Sequence, residues 1–314
     1  MFKNNFVEAI NQFLIRGNEI LLKIIDVPLK SDLYEKNATI YFNDEIEAKG
    51  CVIYFHGGGL LYGNRKDLPN LHVQKLTSSG FIIFSCDYPL APVCKLDLIL
   101  KDINSTIENH RRILSDYFYS KKKLPYFLWG RSAGAYLALI SSLTEKKIEN
   151  PSGIISYYGY GFLCDNWYGT PSKFYLKLPK VPETFLENIS KIPHATGDLS
   201  THYSIYVYAR QTGKWKDLIY EGRDKFFYLN YSLKLCEKLN APLFCAHSVG
   251  DPDVPFSEFT ELCNRYNAKR FVAAADEHDF DRHTENPFTT QLLDATISFL
   301  NRYSEDIKNE KRLS

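Results

Sequence analysis

Residues 126–139, YFLWGRSAGAYLAL, decide the fold class of this chain. An apolar run typical of a buried strand ends at Gly130, and a helix-like apolar run begins after Gly134. Ser132 lies between these glycines in the pattern G-x-S-x-G. In a tight strand-to-helix turn, side chains two positions before and after the serine would clash, and glycine removes that clash. The pattern therefore predicts an exposed serine hydroxyl at the end of a strand, beside the N–H group of Ala133.

Strand-like and helix-like segments alternate along most of the chain. The predicted strands cover residues 39–42, 51–55, 81–85, 126–129, 153–158, 242–247 and 270–275. The helical patterns cover roughly 68–78, 96–118, 134–146, 256–267 and 287–303. The strands are short and apolar on both faces, which is typical of a parallel sheet covered by helices. The alternation predicts an α/β protein with a mostly parallel central sheet flanked by helices.

We interpret residues 1–314 as a single domain. Two of its segments do not show the alternation of strand-like and helix-like patterns. Residues 159–228 are rich in proline and aromatic residues, and predict a helical lid inserted between two strands. We expect most aromatic side chains there to form a small core within the lid. A minority would reach the site, with Trp167, Tyr168 and Trp215 as exposed candidates. Residues 1–45 are interpreted as an N-terminal helical segment packed on the body of the protein.

Composition excludes several classes of protein. Hydrophobic residues make up 45% of the 314 residues, which is enough for a large core. The formal net charge of +1 argues against a nucleic-acid-binding protein. No apolar run is long enough for a membrane span, and no signal peptide is evident. The seven cysteines form no C-x-x-C pair, which favours a reduced, cytoplasmic protein. A monomer and a homo-oligomer both remain open.

The second motif is the glycine run in CVIYFHGGGLLYGN, residues 51–64. It follows a predicted strand that ends at Phe55, and a backbone without side chains can aim its N–H groups at a ligand. A phosphate-binding loop would require G-x-x-x-x-G-K-[ST], which is absent; a flexible loop is the other alternative. We predict that the N–H groups of Gly58 and Gly59, with that of Ala133, form an oxyanion hole. His56 is interpreted as holding this loop in place.

A serine hydroxyl needs a base and an acid to act as a nucleophile. His278 follows the last predicted strand directly, which favours it as the base, with His283 as the alternative. The acid is sought in the loop after the strand at 242–247, where the sequence DPDVP offers two carboxylates. The spacing of the residues in this loop favours Asp251, with Asp253 as the alternative.

Together these motifs resemble the α/β-hydrolase superfamily and, within it, the hormone-sensitive-lipase-like esterases. The order Ser132, Asp251, His278 is the order of that superfamily. The residues that carry the resemblance are HGGG (56–59), DYPLAP (87–92), GRSAG (130–134), DPDVP (251–255) and HDF (278–280). The resemblance covers about residues 50–300. Two positions of the nucleophile motif depart from the esterase pattern, because Arg131 replaces an aspartate and Ala135 replaces a glycine.

The resemblance implies a carboxylesterase-like serine hydrolase that acts through an acyl-enzyme on esters with small to medium acyl chains. In this interpretation Ser132 attacks the ester, His278 transfers the proton and Asp251 orients the imidazole ring. No metal and no cofactor are expected, since neither H-E-x-x-H nor paired C-x-x-C occurs. The partner is then a small-molecule ester. The alternatives are a peptidase or acyltransferase on the same fold, and a non-catalytic ligand receptor.

Overall fold

The computed structural model describes residues 22–118, 123–143 and 149–313. Over these residues, one sheet contains the strands β1 Leu22–Leu29, β2 Lys36–Asn43, β3 Gly50–Phe55, β4 Phe81–Cys86, β5 Tyr126–Arg131, β6 Gly153–Tyr157, β7 Leu243–Ser248 and β8 Lys269–Ala273. The α-helices are α1 Asn70–Ser78, α2 Leu96–Ser115, α3 Ala133–Ser141, α4 Tyr203–Thr212, α5 Trp215–Ile219, α6 Asp224–Tyr231, α7 Phe256–Tyr266 and α8 Pro287–Leu313.

The order of strands across the sheet is β1-β2-β4-β3-β5-β6-β7-β8. The two pairs formed by β2 are antiparallel, and all other pairs are parallel. The prediction of a mostly parallel sheet flanked by helices is therefore confirmed. Because β3, β5, β6, β7 and β8 run in the same direction, the loops that follow them meet at one edge of the sheet.

From residue 22 onward the N-terminal segment is not helical as predicted, whereas the strand predicted at residues 39–42 is confirmed within Lys36–Asn43. Leu22–Leu29 and Lys36–Asn43 are strands that pair antiparallel with each other, and Ile24 lies opposite Tyr41. The cross-strand hydrogen bonds satisfy the backbone of this segment, so the apolar residues of 22–29 serve a strand. Residues 1–21, which carry the rest of the predicted helix, lie outside the described residues.

Each face of the sheet carries its own apolar core, because successive side chains of a strand point to opposite faces. In β3, Ile53 packs in a core that includes buried side chains of α2, α3 and α7. The adjacent Tyr54 packs in a second core with buried side chains of α1 and α8. Full burial of one large apolar side chain stabilises the fold by about 1.5–3 kcal/mol relative to exposure.

Residues 158–242, which connect β6 to β7, form a helical insertion with α4, α5, α6 and three short 3₁₀ helices, Cys164–Gly169, Tyr175–Lys177 and Glu183–Asn188. Its aromatic side chains do not build a separate core, contrary to the sequence-based expectation. Tyr136 of α3 stacks on Tyr160 at 5.1 Å between ring centroids and contacts Trp215 edge-on at 6.5 Å. The insertion therefore extends the core on one face of the sheet, since large aromatic surfaces from both sides exclude water together.

Trp215 and Tyr168 are each only 1% exposed, so they are not the exposed candidates that the sequence suggested. Trp167 is half-buried and contacts both of them. Within the described ranges, no helix is long and apolar enough to cross a bilayer.

Candidate active site

Ser132 lies in the turn between β5 and α3 with φ 53° and ψ −119°, a conformation that non-glycine residues rarely adopt. The turn is as tight as the sequence predicts. A Cβ atom on Gly130 would lie 2.0 Å from the carbonyl carbon of Gly134, and a Cβ on Gly134 would lie 2.0 Å from the carbonyl oxygen of Phe55. The N–H group of Ser132 donates a hydrogen bond to the carbonyl oxygen of Tyr157 at 2.9 Å, which ties the turn to β6.

The structure brings Ser132, His278 and Asp251 together at the edge of the sheet where the strands end. The Nε2 atom of His278 lies 2.8 Å from the Oγ atom of Ser132, and its Nδ1 atom lies 2.7 Å from Oδ2 of Asp251. The other oxygen of Asp251 accepts hydrogen bonds from the N–H groups of Asp253 and Val254, at 2.8 and 2.9 Å. Because an ionised carboxylate only accepts, the neutral ring carries its proton on Nδ1 and presents Nε2 to the hydroxyl.

The alternative candidates lie elsewhere. Asp253 is on the opposite side of the imidazole ring, with its Oδ2 atom 3.9 Å from Nε2 of His278 rather than beside Nδ1. Its carboxylate is held by the insertion, through the hydroxyl of Tyr206 at 2.8 Å and Nε of Arg210 at 3.1 Å. His283 is 70% exposed, and its Nε2 atom lies 3.5 Å from Glu277.

The charges around His278 change its proton affinity. Burial by itself would lower the pKa of His278, but the charge of Asp251, the hydrogen bond to it, and the charges of Asp253 and Asp279 raise that pKa to about 9. For Asp251, burial would raise the pKa, but the charge of His278 and the hydrogen bonds from His247 and His278 hold it well below its usual range. Asp251 is therefore ionised throughout the neutral pH range.

A buried polar network lies behind the imidazole ring. The carboxylate of Asp281 accepts hydrogen bonds from Nη2 of Arg131 at 2.9 Å, from the hydroxyl of Tyr158 at 2.8 Å and from Nε2 of His72 at 2.7 Å. Burial would raise the pKa of Asp281, but the charge of Arg131 and the contacts with His72 lower it strongly. The ring of Tyr158 packs edge-on against that of His278 at 4.7 Å. The network thus connects the strand that precedes Ser132 with the loop that carries His278.

Residues of the insertion contact the glycine loop of residues 57–59 and hold it in place. The indole Nε1–H of Trp215 donates a hydrogen bond to the carbonyl oxygen of Gly59 at 2.8 Å. Gly59 has φ +61°, and an added Cβ would lie 2.2 Å from the ring of Tyr206. Among the described residues, the N–H groups of Gly58, Gly59 and Ala133 have no hydrogen-bond acceptor in the protein. These three groups are available to a ligand.

His56 lies beneath the glycine loop and is fully buried. Its ring stacks on that of Tyr88 at 4.2 Å, and its Nδ1 atom lies 2.8 Å from the carbonyl oxygen of Gly57. The hydroxyl of Tyr88 also donates to the carbonyl oxygen of His56 at 2.9 Å. These contacts agree with the interpretation of His56 as a residue that holds the loop.

Several residues that contact the site were not predicted from the sequence. His247 is one of them: its Nε2 atom lies 3.1 Å from Oδ2 of Asp251, the same oxygen that contacts His278. Arg131 was noted only as a departure from the esterase pattern. A charged residue at the end of an apolar strand requires a buried partner of opposite charge, and this signal could have directed attention to Asp281. Tyr206 and Arg210 carried no comparable signal.

A crevice of about 40 Å³ opens above Ser132. Three glycines, three tyrosines, three aspartates, two arginines, Ser132 and His278 line it, and no aliphatic side chain of the described residues does so. The side chains at its mouth include Asp67, Asp279 and Arg282, and Arg282 is ion-paired with both carboxylates. The crevice is therefore small and polar. Nowhere in the described ranges do three or more His, Cys, Asp or Glu side chains gather as metal ligands.

Solved structures share this architecture. A protein of unknown function from Staphylococcus aureus subsp. aureus Mu50 is 29% identical, with 89% of this chain and 99% of that chain covered and a TM-score of 0.76. An α/β-hydrolase superfamily protein from Enterococcus faecalis is 25% identical, with 88% and 99% covered and a TM-score of 0.69. This chain has the α/β-hydrolase fold. The superfamily resemblance inferred from the sequence is confirmed.

Other comparisons are more distant. Residues 39–161 match a protein family described as BD-FAE. An esterase from the bacterial hormone-sensitive lipase family is 16% identical, with 90% of this chain and 85% of that chain covered and a TM-score of 0.59. A non-reducing polyketide synthase from Penicillium rubens is 26% identical over 166 residues, 49% of this chain. That match spans only 7% of the length of the synthase.

The network behind His278 predicts a large loss of stability when its carboxylate is removed. Asp281→Ala leaves Arg131 buried without its charge partner, and we expect the free energy of unfolding to fall by about 3–5 kcal/mol. Asp294→Ala is the matched control, because the ion pair of Asp294 with Lys75 lies on the surface. We expect it to cost less than about 1 kcal/mol. Urea unfolding followed by circular dichroism measures both, and equal losses would contradict the importance of the network.

Proposed function

We propose that this α/β-hydrolase-fold protein is a serine hydrolase that cleaves carboxylic esters through an acyl-enzyme. The observation that supports it most is the continuous line of contacts from Asp251 through His278 to Ser132, at 2.7 and 2.8 Å. A nucleophile, a base and an orienting acid at hydrogen-bond distance are what covalent acyl transfer requires. Gly58 and Gly59 line the crevice that contains Ser132, and Ala133 follows Ser132 at the start of α3, so their unpaired N–H groups can stabilise negative charge there.

In the first half of the reaction, the Oγ atom of Ser132 forms a bond to the ester carbonyl carbon while Nε2 of His278 takes the hydroxyl proton. The carbonyl oxygen becomes an oxyanion, and the three backbone N–H groups donate hydrogen bonds to it. The carbon–oxygen bond to the alcohol then breaks, and His278 returns the proton to the departing alkoxide. The products of this half are a free alcohol and an acyl group bound to Ser132.

In the second half, His278 takes a proton from a water molecule, whose oxygen attacks the acyl carbon. The bond to Ser132 breaks, the serine oxygen recovers a proton from His278, and the carboxylic acid leaves. Asp251 keeps the proton on Nδ1 and stabilises the imidazolium that forms in both halves. Its carboxylate accepts hydrogen bonds from two backbone N–H groups, which fix its direction, so that the ring keeps one orientation.

The comparisons support ester hydrolysis in general terms, since several similar structures are described as esterases, including an arylesterase and the hormone-sensitive lipase relative. The small, polar crevice supports a short acyl chain. A peptidase, an acyltransferase and a non-catalytic receptor remain the alternatives. No contact in the described residues favours any of them over the ester hydrolase.

The nucleophile is tested by Ser132→Ala. We expect the mutant to keep its fold and to lose hydrolysis of phenyl acetate by at least roughly 1,000-fold, because no other group supplies the attacking oxygen. A fluorophosphonate probe should label the wild-type protein and the control Ser78→Ala, whose serine is exposed on α1, but not Ser132→Ala. A folded wild-type protein that remains unlabelled would indicate a non-catalytic receptor.

The acid is tested by comparing two isosteric changes. Asp251→Asn removes the acceptor for Nδ1–H and favours the wrong tautomer of His278, and we expect kcat for phenyl acetate to fall on the order of 10⁴-fold. Asp253→Asn leaves the Nδ1 contact intact, so its effect on this substrate should be far smaller. Steady-state kinetics of both variants decide the assignment. A larger loss of kcat in Asp253→Asn than in Asp251→Asn would indicate that Asp253 is the acid.

The pH dependence follows from the raised pKa of His278. The ring acts as a base only when it is neutral, and its pKa of about 9 means that it is mostly protonated at neutral pH. We therefore expect kcat/KM to rise with pH through a midpoint near 9, above the ordinary value for histidine of about 6.5. Asp253→Asn removes one of the negative charges and should lower the midpoint. A profile that is already flat above pH 7 would contradict the raised pKa.

A further inference from the structure

The proposed hydrolysis assigns no role to Asp253. It is 6% exposed, yet its carboxylate borders the crevice above Ser132. Two groups of α4 fix its orientation. Arg210 donates from Nε to Oδ1 at 3.1 Å and from Nη2 to the backbone carbonyl oxygen of Asp253 at 3.0 Å, and the hydroxyl of Tyr206 lies 2.9 and 2.8 Å from the two carboxylate oxygens. These contacts hold the carboxylate at the edge of the crevice.

The Oδ2 atom of Asp253 lies near the place that the alcohol part of a bound ester would occupy. It lies 3.9 Å from Nε2 of His278, the atom that would return the proton to the departing alkoxide. That alkoxide oxygen must come within about 3 Å of Nε2. A group on the carbon next to the one that bears this oxygen then comes within reach of Oδ2. The acyl part, which follows the carbonyl carbon, extends away from the leaving oxygen.

The chemistry of Oδ2 restricts what can bind beside it. An ionised carboxylate accepts hydrogen bonds and donates none. An apolar group at this place would remove water from the charge without replacing its hydrogen bond, which is costly. The lining of the crevice offers no aliphatic surface as compensation among the described residues.

We propose, on the basis of the proposed ester hydrolysis, that Asp253 selects esters whose alcohol part carries a hydrogen-bond donor next to the ester-bearing carbon. The donor is a hydroxyl group, as in a partly acylated polyol, or an ammonium group. The hydroxyl and the ammonium group would each donate to the same acceptor, Oδ2 of Asp253. Asp253 is thus a specificity residue that contacts substrate, whereas Asp251 acts through His278.

The test compares esters of matched size. Propyl acetate and 2-hydroxyethyl acetate differ only by a terminal methyl or hydroxyl group, and protonated 2-(dimethylamino)ethyl acetate supplies an ammonium donor. We expect kcat/KM of the wild-type protein to be roughly tenfold or more higher for 2-hydroxyethyl acetate or for the ammonium ester than for propyl acetate, as for hydrogen bonds to charged groups. The better of the two donor substrates identifies the donor. Phenyl acetate, whose alcohol carries no donor, reports on hydrolysis itself.

The substitution Asp253→Asn tests whether this carboxylate causes the preference for a donor. Nε–H of Arg210 donates to Oδ1, so the amide oxygen of asparagine takes that place and its NH₂ group takes the place of Oδ2. The hydroxyl of Tyr206 lies within hydrogen-bond distance of both positions and can donate to the amide oxygen. An acceptor is thereby replaced by a donor, and we expect the donor preference to fall below about threefold. Comparing ratios between substrates cancels any effect of the change on the pKa of His278. Asp279→Asn, which changes another carboxylate of the crevice, should keep the wild-type ratio.

The possible outcomes distinguish a failure of the role of Asp253 from a failure of the proposed ester hydrolysis. A preference in the wild-type protein that disappears in Asp253→Asn and persists in Asp279→Asn supports the role of Asp253. Hydrolysis of phenyl acetate with equal rates for the matched esters overturns this role alone, as does a preference that survives Asp253→Asn. A folded wild-type protein that hydrolyses none of these acetates overturns the proposed function and this inference together.

Discussion

The buried ion pair between Arg131 and Asp281 is the interaction on which the arrangement of the site depends. Arg131 is the last residue of β5 and precedes Ser132, while Asp281 lies three residues after His278. The pair therefore fixes two chain segments, 150 residues apart in sequence, whose side chains must meet within hydrogen-bond distance. Tyr158 contacts both charges and the imidazole ring, so the packing of the ring and the ion pair support each other.

The insertion contributes to the site as a support as well as a cover. Its aromatic side chains share a core with α3, and Trp215 and Tyr206 reach the glycine loop directly. A backbone bridge between Gly63 and Gly197 adds a further attachment. Rigid placement of N–H groups matters for acyl transfer, because donors that are already oriented need not rearrange as charge develops. Residues of the insertion and of the loops that follow the strands thus line one small polar crevice together.

The sequence predicted the sheet and the meeting of Ser132, Asp251 and His278 because these features depend on local patterns. Apolar runs identify strands, and chemistry-bearing residues that follow parallel strands collect at one edge. The strand Leu22–Leu29 was missed because its partner, rather than its own periodicity, determines its structure. The ordering of Asp251 over Asp253 agrees with the contacts of His278, but the contacts of Asp253 with Tyr206 and Arg210 could not be predicted. They depend on how the insertion folds back over the sheet, which no local pattern encodes.

The attachment of the insertion to the glycine loop has a consequence for protein engineering. Here the indole of residue 215 and the phenol ring of residue 206 are structural neighbours of a loop about 150 positions earlier. A chimera that imports a foreign insertion would need to import residues 56–63 with it. Changes of selectivity in this scaffold are therefore better sought by varying single side chains of the crevice than by transplanting the whole segment.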